Sequence, residues 1–295
     1  MTMTTQSITS GQEKQVKRII EDAVGRAFRE GSFDKERVQR LIENGREFQV
    51  CIIDAMRRLS AIDQSGDKDM VESSYAYPEG YMIKGIAEQI ETLRRFFPGI
   101  ICPAKTLVSR SMSFRLANTE GWFAIPRWQK VATTYGKAVE IVLGLVNRQR
   151  DGKLYKPRRD VLEELHLQQH ERTMRMLETL GYQQMDCDIL IVAAQFGFRH
   201  RGRSVLRARE DFAANEFGLG AFEVGCMLLT HPERFVSPDD LGIDCAGDEC
   251  IRVFDAPAST FFRLGKNGIV FDASWFICAD PRYGSASGFL DEVKL

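Results

Sequence analysis

Residues 188–196 read DILIVAAQF, and this stretch decides the fold class that the sequence predicts. Its run of apolar, partly β-branched side chains is typical of a strand buried in a protein core. Before it, apolar residues recur mostly at helical spacing, and after it the pattern is mixed. We therefore predict an α+β fold with a helical N-terminal half and a mixed α/β C-terminal half.

The C-terminal half contains a second clear signal. Residues 261–271 read FFRLGKNGIVF, which predicts a β-hairpin that turns between Gly265 and Gly268. Between the two signals, residues 218–235 (GLGAFEVGCMLLTHPERF) favour a helix that ends near Pro232. Periodicity alone leaves a buried strand open as the alternative for that segment.

The N-terminal half shows helical signals. Ser10 and Glu13 form a capping-box pattern before the apolar series of residues 16–27, and Asp34 can cap a second helix. Further helices are predicted near residues 86–97 and 134–146. Residues 121–128 (GWFAIPRW) predict an edge strand or a loop, because proline cannot donate a hydrogen bond within a sheet.

Segment composition divides the chain into four parts. Residues 1–9 are predicted to be a disordered tail, 10–146 a mainly helical region, 147–160 a basic linker or loop, and 161–295 a mixed region. The last two regions can also belong to one domain with the helical part. A helix from about residue 160 to Gly181 opens the last region, and it places His166 and His170 on one helix face.

Composition limits the classes of function. The chain has 295 residues, a formal net charge of -1 and seven cysteines without paired short spacings. No global field attracts nucleic acid or membrane, so a charged partner must be recognised by a local patch. No signal-peptide pattern and no long apolar run is present. We expect a soluble, reduced, cytoplasmic protein without a membrane partner, and no cofactor or metal is indicated.

Two basic stretches are the candidate sites for phosphate or nucleic acid. The first carries five arginines and no acid, namely Arg199, Arg201, Arg203, Arg207 and Arg209. The second, residues 148–159, includes Lys156, Arg158 and Arg159 around Tyr155. Guanidinium groups match phosphate oxygens, and Phe196 and Phe198 offer rings on which bases stack. The alternative is that these cations form ion pairs with acidic residues of the same protein.

An acidic stretch gives the candidates for catalysis. Residues 233–255 hold seven acids against two arginines. Within it, IDCAGDEC brings Asp244, Asp248 and Glu249 close enough in sequence to share a divalent ion, and His200 is a further catalytic candidate. An acidic turn between strands gives the same pattern. The glycines of FGLGAFEVG have G-x-G-x4-G spacing, which departs from the dinucleotide-binding loop.

Several longer strings carry a resemblance, namely GWFAIPRWQKVA, FGFRHRGRS, FGLGAFEVGCMLLTHPERF, IDCAGDE and GSASGFL. Together they are similar to a family of hypothetical proteins from small-genome, uncultured candidate-phylum bacteria. The likeness covers most of the chain after the first ten residues. The resemblance implies a bacterial, intracellular setting, and it implies no activity, fold or site residue.

Three hypotheses of function follow from these patterns. The first is a non-enzymatic protein that binds RNA, DNA or another polyanion through the two basic stretches. The second is a structural or assembly protein, a homo-oligomer in which basic and acidic stretches of neighbouring subunits meet. The third is a metal-dependent hydrolase or nuclease that uses Asp244, Asp248 and Glu249. We rank binding first and catalysis third, and enzyme activity stays open.

Overall fold

The computed structural model describes residues 9–29, 34–45, 48–49, 52, 56, 70–102, 118–155, 167–250, 258–275 and 277–290. By its internal contacts the chain forms two compact units, Met1–Ile62 and Asp63–Leu295. Helices dominate the N-terminal part, and strands in mixed sheets follow, so the predicted α+β class is confirmed. None of the helices in these residues is long and apolar enough to cross a membrane.

The helices of the described residues are numbered in chain order: α1 Ser10–Arg29, α2 Lys35–Glu43, α3 Ile86–Phe96, α4 Tyr135–Gln149, α5 Glu171–Gln183, α6 Val205–Glu210 and α7 Ala221–Thr230. Short 3-10 turns lie at Trp128–Lys130, Phe198–His200 and Pro232–Arg234.

The strands are numbered in the same way: β1 Gly121–Pro126, β2 Leu154–Tyr155, β3 Gln168–Gln169, β4 Ile189–Gln195, β5 Glu216–Gly218, β6 Gly242–Asp244, β7 Asp248–Glu249, β8 Ala258–Gly265, β9 Gly268–Trp275, β10 Tyr283–Ser285 and β11 Ser287–Phe289. They form a four-stranded sheet (β1-β4-β11-β5), a five-stranded sheet (β10-β6-β8-β9-β2) and the pair β3-β7.

The first unit contains α1 and α2. Asp34 caps α2 as predicted, because its Oδ1 accepts a hydrogen bond from the Arg37 amide at 2.7 Å. The capping box of α1 lies one residue earlier than predicted. The hydroxyl of Thr9 accepts from the Gln12 amide at 3.2 Å, and the Gln12 side chain accepts from the Thr9 amide at 2.9 Å. Ser10 is therefore the first helical residue rather than the cap.

The core of the second unit is built on β4. This strand lies between β1 and β11, is antiparallel to both, and has every residue buried, as its apolar run predicts. β1 is an edge strand that ends at Pro126, as expected. Helix α7 is buried along its whole length and packs against α4, α3 and β1. β1 and β4 thus join sequence regions on either side of residues 147–160 in one sheet.

Local predictions differ in outcome. The hairpin of β8 and β9 turns at residues 266–267, as predicted. The helix expected from about residue 160 begins only at Glu171 and runs past Gly181 to Gln183. His170 is its N-cap, where Nδ1 accepts from the Arg172 amide at 3.2 Å. His166 lies outside the described residues, so no two-histidine helix face is seen.

Candidate functional site

The loop that follows β4 carries the first basic stretch. Two of its glycines adopt left-handed backbone angles, with φ of 126° at Gly197 and 70° at Gly202. A side chain at Gly197 would collide with the carbonyl of Gly284, and one at Gly202 with the carbonyl of Val71. Only glycine meets both the angle and the close approach at these two positions. The sequence FGFRHRGR therefore encodes a tight, defined turn.

The backbone of this loop is held from two sides. The Gly202 amide donates to the Tyr283 carbonyl at 2.8 Å, and the Val71 amide donates to the Gly202 carbonyl at 2.7 Å. Arg201 also pairs with Gly284 in an isolated antiparallel bridge. Because neighbours on both sides bind the main chain, the side chains of the loop project from a fixed frame.

An open cleft of about 870 Å³ lies beside this loop. Three of the predicted arginines line it together with two acids and one aromatic ring, namely Arg199, Arg201, Arg203, Glu72, Glu120 and Phe198. Met70, Val71, Asn118, Thr119 and Gln195 complete the wall. The cleft therefore combines guanidinium groups, amides and an aromatic face at the C-terminal end of the central strand.

The three cleft arginines have different partners. Arg199 Nε lies 3.3 Å from the Glu216 carboxylate, and Arg203 Nε lies 3.3 Å from Asp211. Arg201 stacks its guanidinium over the Phe198 ring at 4.3 Å from the centroid. Within the part of the chain that the structure describes, Arg201 forms no ion pair with a carboxylate. Arg201 is thus the cleft cation with most capacity for an external anion.

A buried carboxylate, Glu216, lies next to Arg199. Glu216 is fully buried, and its Oε1 accepts from the Ser287 hydroxyl at 2.6 Å and from His200 Nε2 at 2.7 Å. Burial raises the pKa of Glu216, but the hydrogen bonds from His200 and Ser287 outweigh it, so the net pKa is lowered. The ionised carboxylate thereby holds Arg199 toward the cleft.

His200, a catalytic candidate from the sequence, belongs to this support. It is fully buried, and Arg203 Nη1 lies 2.9 Å from its Nδ1. Arginine can only donate, so Nδ1 accepts and the ring proton is on Nε2, facing Glu216. His200 does not line the cleft. The His200 ring therefore bridges Glu216 and Arg203 through its two nitrogens.

Glu120 enters the cleft from the residue before β1. Its carboxylate accepts hydrogen bonds from the Tyr77 hydroxyl and, at 3.1 Å, from the Phe196 amide. Burial raises the pKa of Glu120 despite these bonds. No motif in the sequence pointed to Glu120.

The remaining arginines of the first stretch lie outside the cleft lining. Arg207 is about half exposed, and its Nε is 3.1 Å from Asp211 on the same helix end. The Arg209 side chain is 11% exposed and donates to the carbonyls of Ala246 at 2.9 Å and Asp248 at 2.7 Å. Arg209 therefore binds groups of its own chain, as the alternative interpretation of this basic stretch predicts.

The second basic stretch is only partly described. Lys156, Arg158 and Arg159 lie outside the described residues. Arg150 turns inward and donates to the carbonyls of Pro232 and Phe235. Arg148 and Lys153 are exposed. The structure thus does not bring a described cation of this stretch into the cleft.

The three catalytic carboxylates of the sequence hypothesis do not converge. Asp248 is buried and accepts from the Tyr135 hydroxyl at 2.6 Å, the Thr260 hydroxyl at 2.6 Å and the Ala221 amide at 2.9 Å. Glu249 is partly exposed, and its carboxylate lies 3.7 Å from the Arg209 guanidinium. Asp244 lies in β6. The described part of the chain contains no group of three His, Cys, Asp or Glu that could hold a metal ion.

A buried acid pair is a feature that the sequence reading missed. Glu223 in α7 accepts from the Gly220 amide at 3.0 Å and Gln169 at 3.0 Å, close to Asp248. Burial raises the pKa of Glu223 to about 8 and that of Asp248 to about 6. These carboxylates occupy the N-terminus of α7, so the glycine-rich turn before it is closed to a phosphate. One signal was present, a lone acid in the apolar run AFEVGCMLL.

Comparisons of this chain with protein-family models, with curated proteins and with solved structures found no match in any of the three. The resemblance to a family of candidate-phylum bacterial proteins therefore stays an expectation.

Proposed function

We propose that the protein binds nucleic acid or another polyanion, without chemistry on it, through the cleft beside the loop 196–203. The observation that carries the proposal is that Arg199, Arg201 and Arg203 line one open cleft. Guanidinium groups bind phosphate oxygens through paired N–H donors, and desolvation in a cleft strengthens that contact. A bacterial, cytoplasmic setting belongs to the same proposal.

The frame of the loop adds a second argument. Because Gly197 and Gly202 are locked against neighbouring carbonyls, the three arginines are ordered before a ligand arrives. Binding then costs less conformational entropy than it would with mobile side chains on a free loop. Glu216 and His200 hold two of the three guanidinium groups in place. Among the arginines of the first basic stretch, the proposal therefore assigns ligand binding to these three.

The other two hypotheses receive less support from the geometry. Assembly through basic and acidic stretches needs arginines that are open to another subunit, whereas Arg209 already binds Glu249 and two carbonyls of its own chain. Hydrolysis with a metal needs carboxylates that point to one place, whereas Asp248 is fully buried and Glu249 pairs with Arg209 at the partly exposed edge of the strand pair.

The test measures binding to short mixed-sequence RNA and DNA strands at increasing salt concentration, with fluorescence anisotropy as the readout. Arg201→Ala is compared with Arg207→Ala, a change in the same run but outside the cleft lining. We expect Arg201→Ala to weaken binding across all sequences and to lower the salt slope by roughly one. We expect Arg207→Ala to leave both close to the intact protein.

Two results contradict the proposal. The first is that the intact protein binds neither strand at low salt. The second is that Arg207→Ala loses as much affinity as Arg201→Ala, since the cleft is then no different from the rest of the basic surface. Circular dichroism and thermal melting of each variant establish that it is folded.

A further inference from the structure

We infer that the ligand of the cleft is a single-stranded nucleic acid, one unpaired base of which stacks on the paired side chains of Phe198 and Arg201. This inference rests on the proposed function, because it names the class of polyanion that the same cleft selects. Phosphate contacts alone hold any polyanion, whereas an aromatic face in the same cleft favours one that carries flat, unpaired bases.

The structure separates the two phenylalanines of FGF. Phe196 is fully buried, and its ring meets that of Phe123 edge-on at 5.3 Å in the core. Phe198 is 42% exposed and lines the cleft. Burying an exposed ring against a base removes apolar surface from water. Only the second ring of the motif is therefore open to a ligand.

The exposed ring is held in a fixed orientation. The Phe198 amide donates to the Tyr77 hydroxyl at 3.0 Å, and the two rings meet edge-on with centroids 5.5 Å apart. The Arg201 guanidinium lies over the Phe198 ring, and its Nη1 donates to the Tyr75 carbonyl at 3.4 Å. The ring and the guanidinium thus lie together at the cleft, and both kinds of group stack on bases in RNA complexes.

The requirement for a free base face favours a strand over a duplex. A volume of about 870 Å³ lies in the range of roughly 300–1,000 Å³ that encloses small molecules. One or a few nucleotides fit such a space. In a duplex the faces of each base are covered by its neighbours, so contact with Phe198 would require a base to unstack first.

The ligand arm of the test compares four probes with the intact protein at one salt concentration: a single strand, the same strand with abasic sugars, its duplex, and a free mononucleotide. We expect the base-bearing strand to bind roughly tenfold more tightly than the abasic strand and the duplex. A mononucleotide that binds as tightly as the strand overturns the inference in favour of a small-molecule site.

The variant arm uses Phe198→Leu, which keeps apolar bulk and removes the ring. Tyr182→Leu is the matched control, because Tyr182 is 75% exposed on α5 and does not line the cleft. We expect Phe198→Leu to weaken binding of the base-bearing strand roughly tenfold and to leave the affinity for the abasic strand unchanged. Tyr182→Leu should change neither affinity.

The outcomes distinguish base stacking on Phe198 from phosphate binding in the cleft. Equal loss on both strands means that the ring only positions Arg201, and this overturns stacking while phosphate binding stands. Equal affinity of the intact protein for strand and duplex has the same meaning. If no probe binds at low salt, the proposed function fails together with the inference.

Discussion

At the residue scale, Glu223 and Asp248 place two carboxyl groups close together in the protein interior. Two carboxyl groups share a water-excluded space with the Tyr135 hydroxyl at the start of α7. Burial disfavours their charged forms, which raises both pKa values above those of an unfolded chain. The folded state therefore holds protons in a pH range where the unfolded chain has released them.

This pair predicts that stability falls as pH rises. In the unfolded chain Glu223 loses its proton near pH 4.5, whereas in the folded protein it does so near pH 8. Between these values the native state binds more protons, so the free energy of unfolding decreases with pH, by about 1.4 kcal/mol per unit at most for one group. Urea denaturation at pH 5 and pH 8 measures this decrease.

Glu223→Gln is expected to remove much of that slope, because the amide stays neutral at both pH values. The variant should then lose less stability than the intact protein between pH 5 and pH 8. Glu178→Gln, at an exposed position of α5, is the control and should keep the original slope. A slope in Glu223→Gln equal to that of the control would show that other groups cause it.

At the element scale, the loop 196–203 shows how two glycines determine the position of a binding surface. We expect Gly202→Ala to destabilise the protein by about 1–3 kcal/mol, because a Cβ there meets the Val71 carbonyl and the φ of 70° is strained for alanine. Urea unfolding measures the loss. Binding in the cleft should weaken in the same variant, since the arginines move with the loop.

A second glycine gives the control of opposite sign. Gly144 lies inside α4, and a Cβ at that position has nothing within 4 Å. Gly144→Ala should therefore stabilise the protein by roughly 0.5–1 kcal/mol through helix propensity and the entropy of the unfolded chain. Destabilisation by both changes to the same extent would contradict the argument from the turn.

Elements differ in how far the sequence predicts them. The apolar run of β4 and the hairpin of β8 and β9 were predicted correctly, because local pattern and turn chemistry specify them. β5, β10 and β11 have three residues each and were missed. Segments this short carry no periodic signal, and only pairing with distant neighbours makes them strands.

At the scale of the whole molecule, a disulfide joins Cys102 to Cys187 across 85 residues. The prediction of a fully reduced chain is therefore wrong for these two cysteines, while Cys226, Cys245 and Cys250 are free thiols. Sequence spacing could not reveal the pair, since hydrogen bonds between Ile101 and Asp188 bring the two segments together. Disulfide bonds are uncommon in cytosolic proteins, so the redox state of Cys102 and Cys187 bears on the proposed cytoplasmic location.

Reduction of this bond is expected to lower stability substantially. In the chain-entropy account, a loop of this length contributes about 4–5 kcal/mol by restricting the unfolded state. The midpoint of urea unfolding should fall on addition of dithiothreitol, and the double variant Cys102→Ser, Cys187→Ser should match the reduced protein. Thiol alkylation and mass spectrometry should label both cysteines only after reduction, and labelling without reductant would contradict the bond.

The sequence by itself determined the fold class, the buried central strand, the hairpin and the position of the arginine-rich loop. Each of these depends on residues that are neighbours in the chain, whose periodicity and turn chemistry act locally. Only the tertiary structure decided which arginines line a cleft and which form ion pairs with Glu216, Asp211 or Glu249. It also decided that Glu223 lies close to Asp248. Local periodicity does not report those contacts, because burial and charge pairing depend on distance in space.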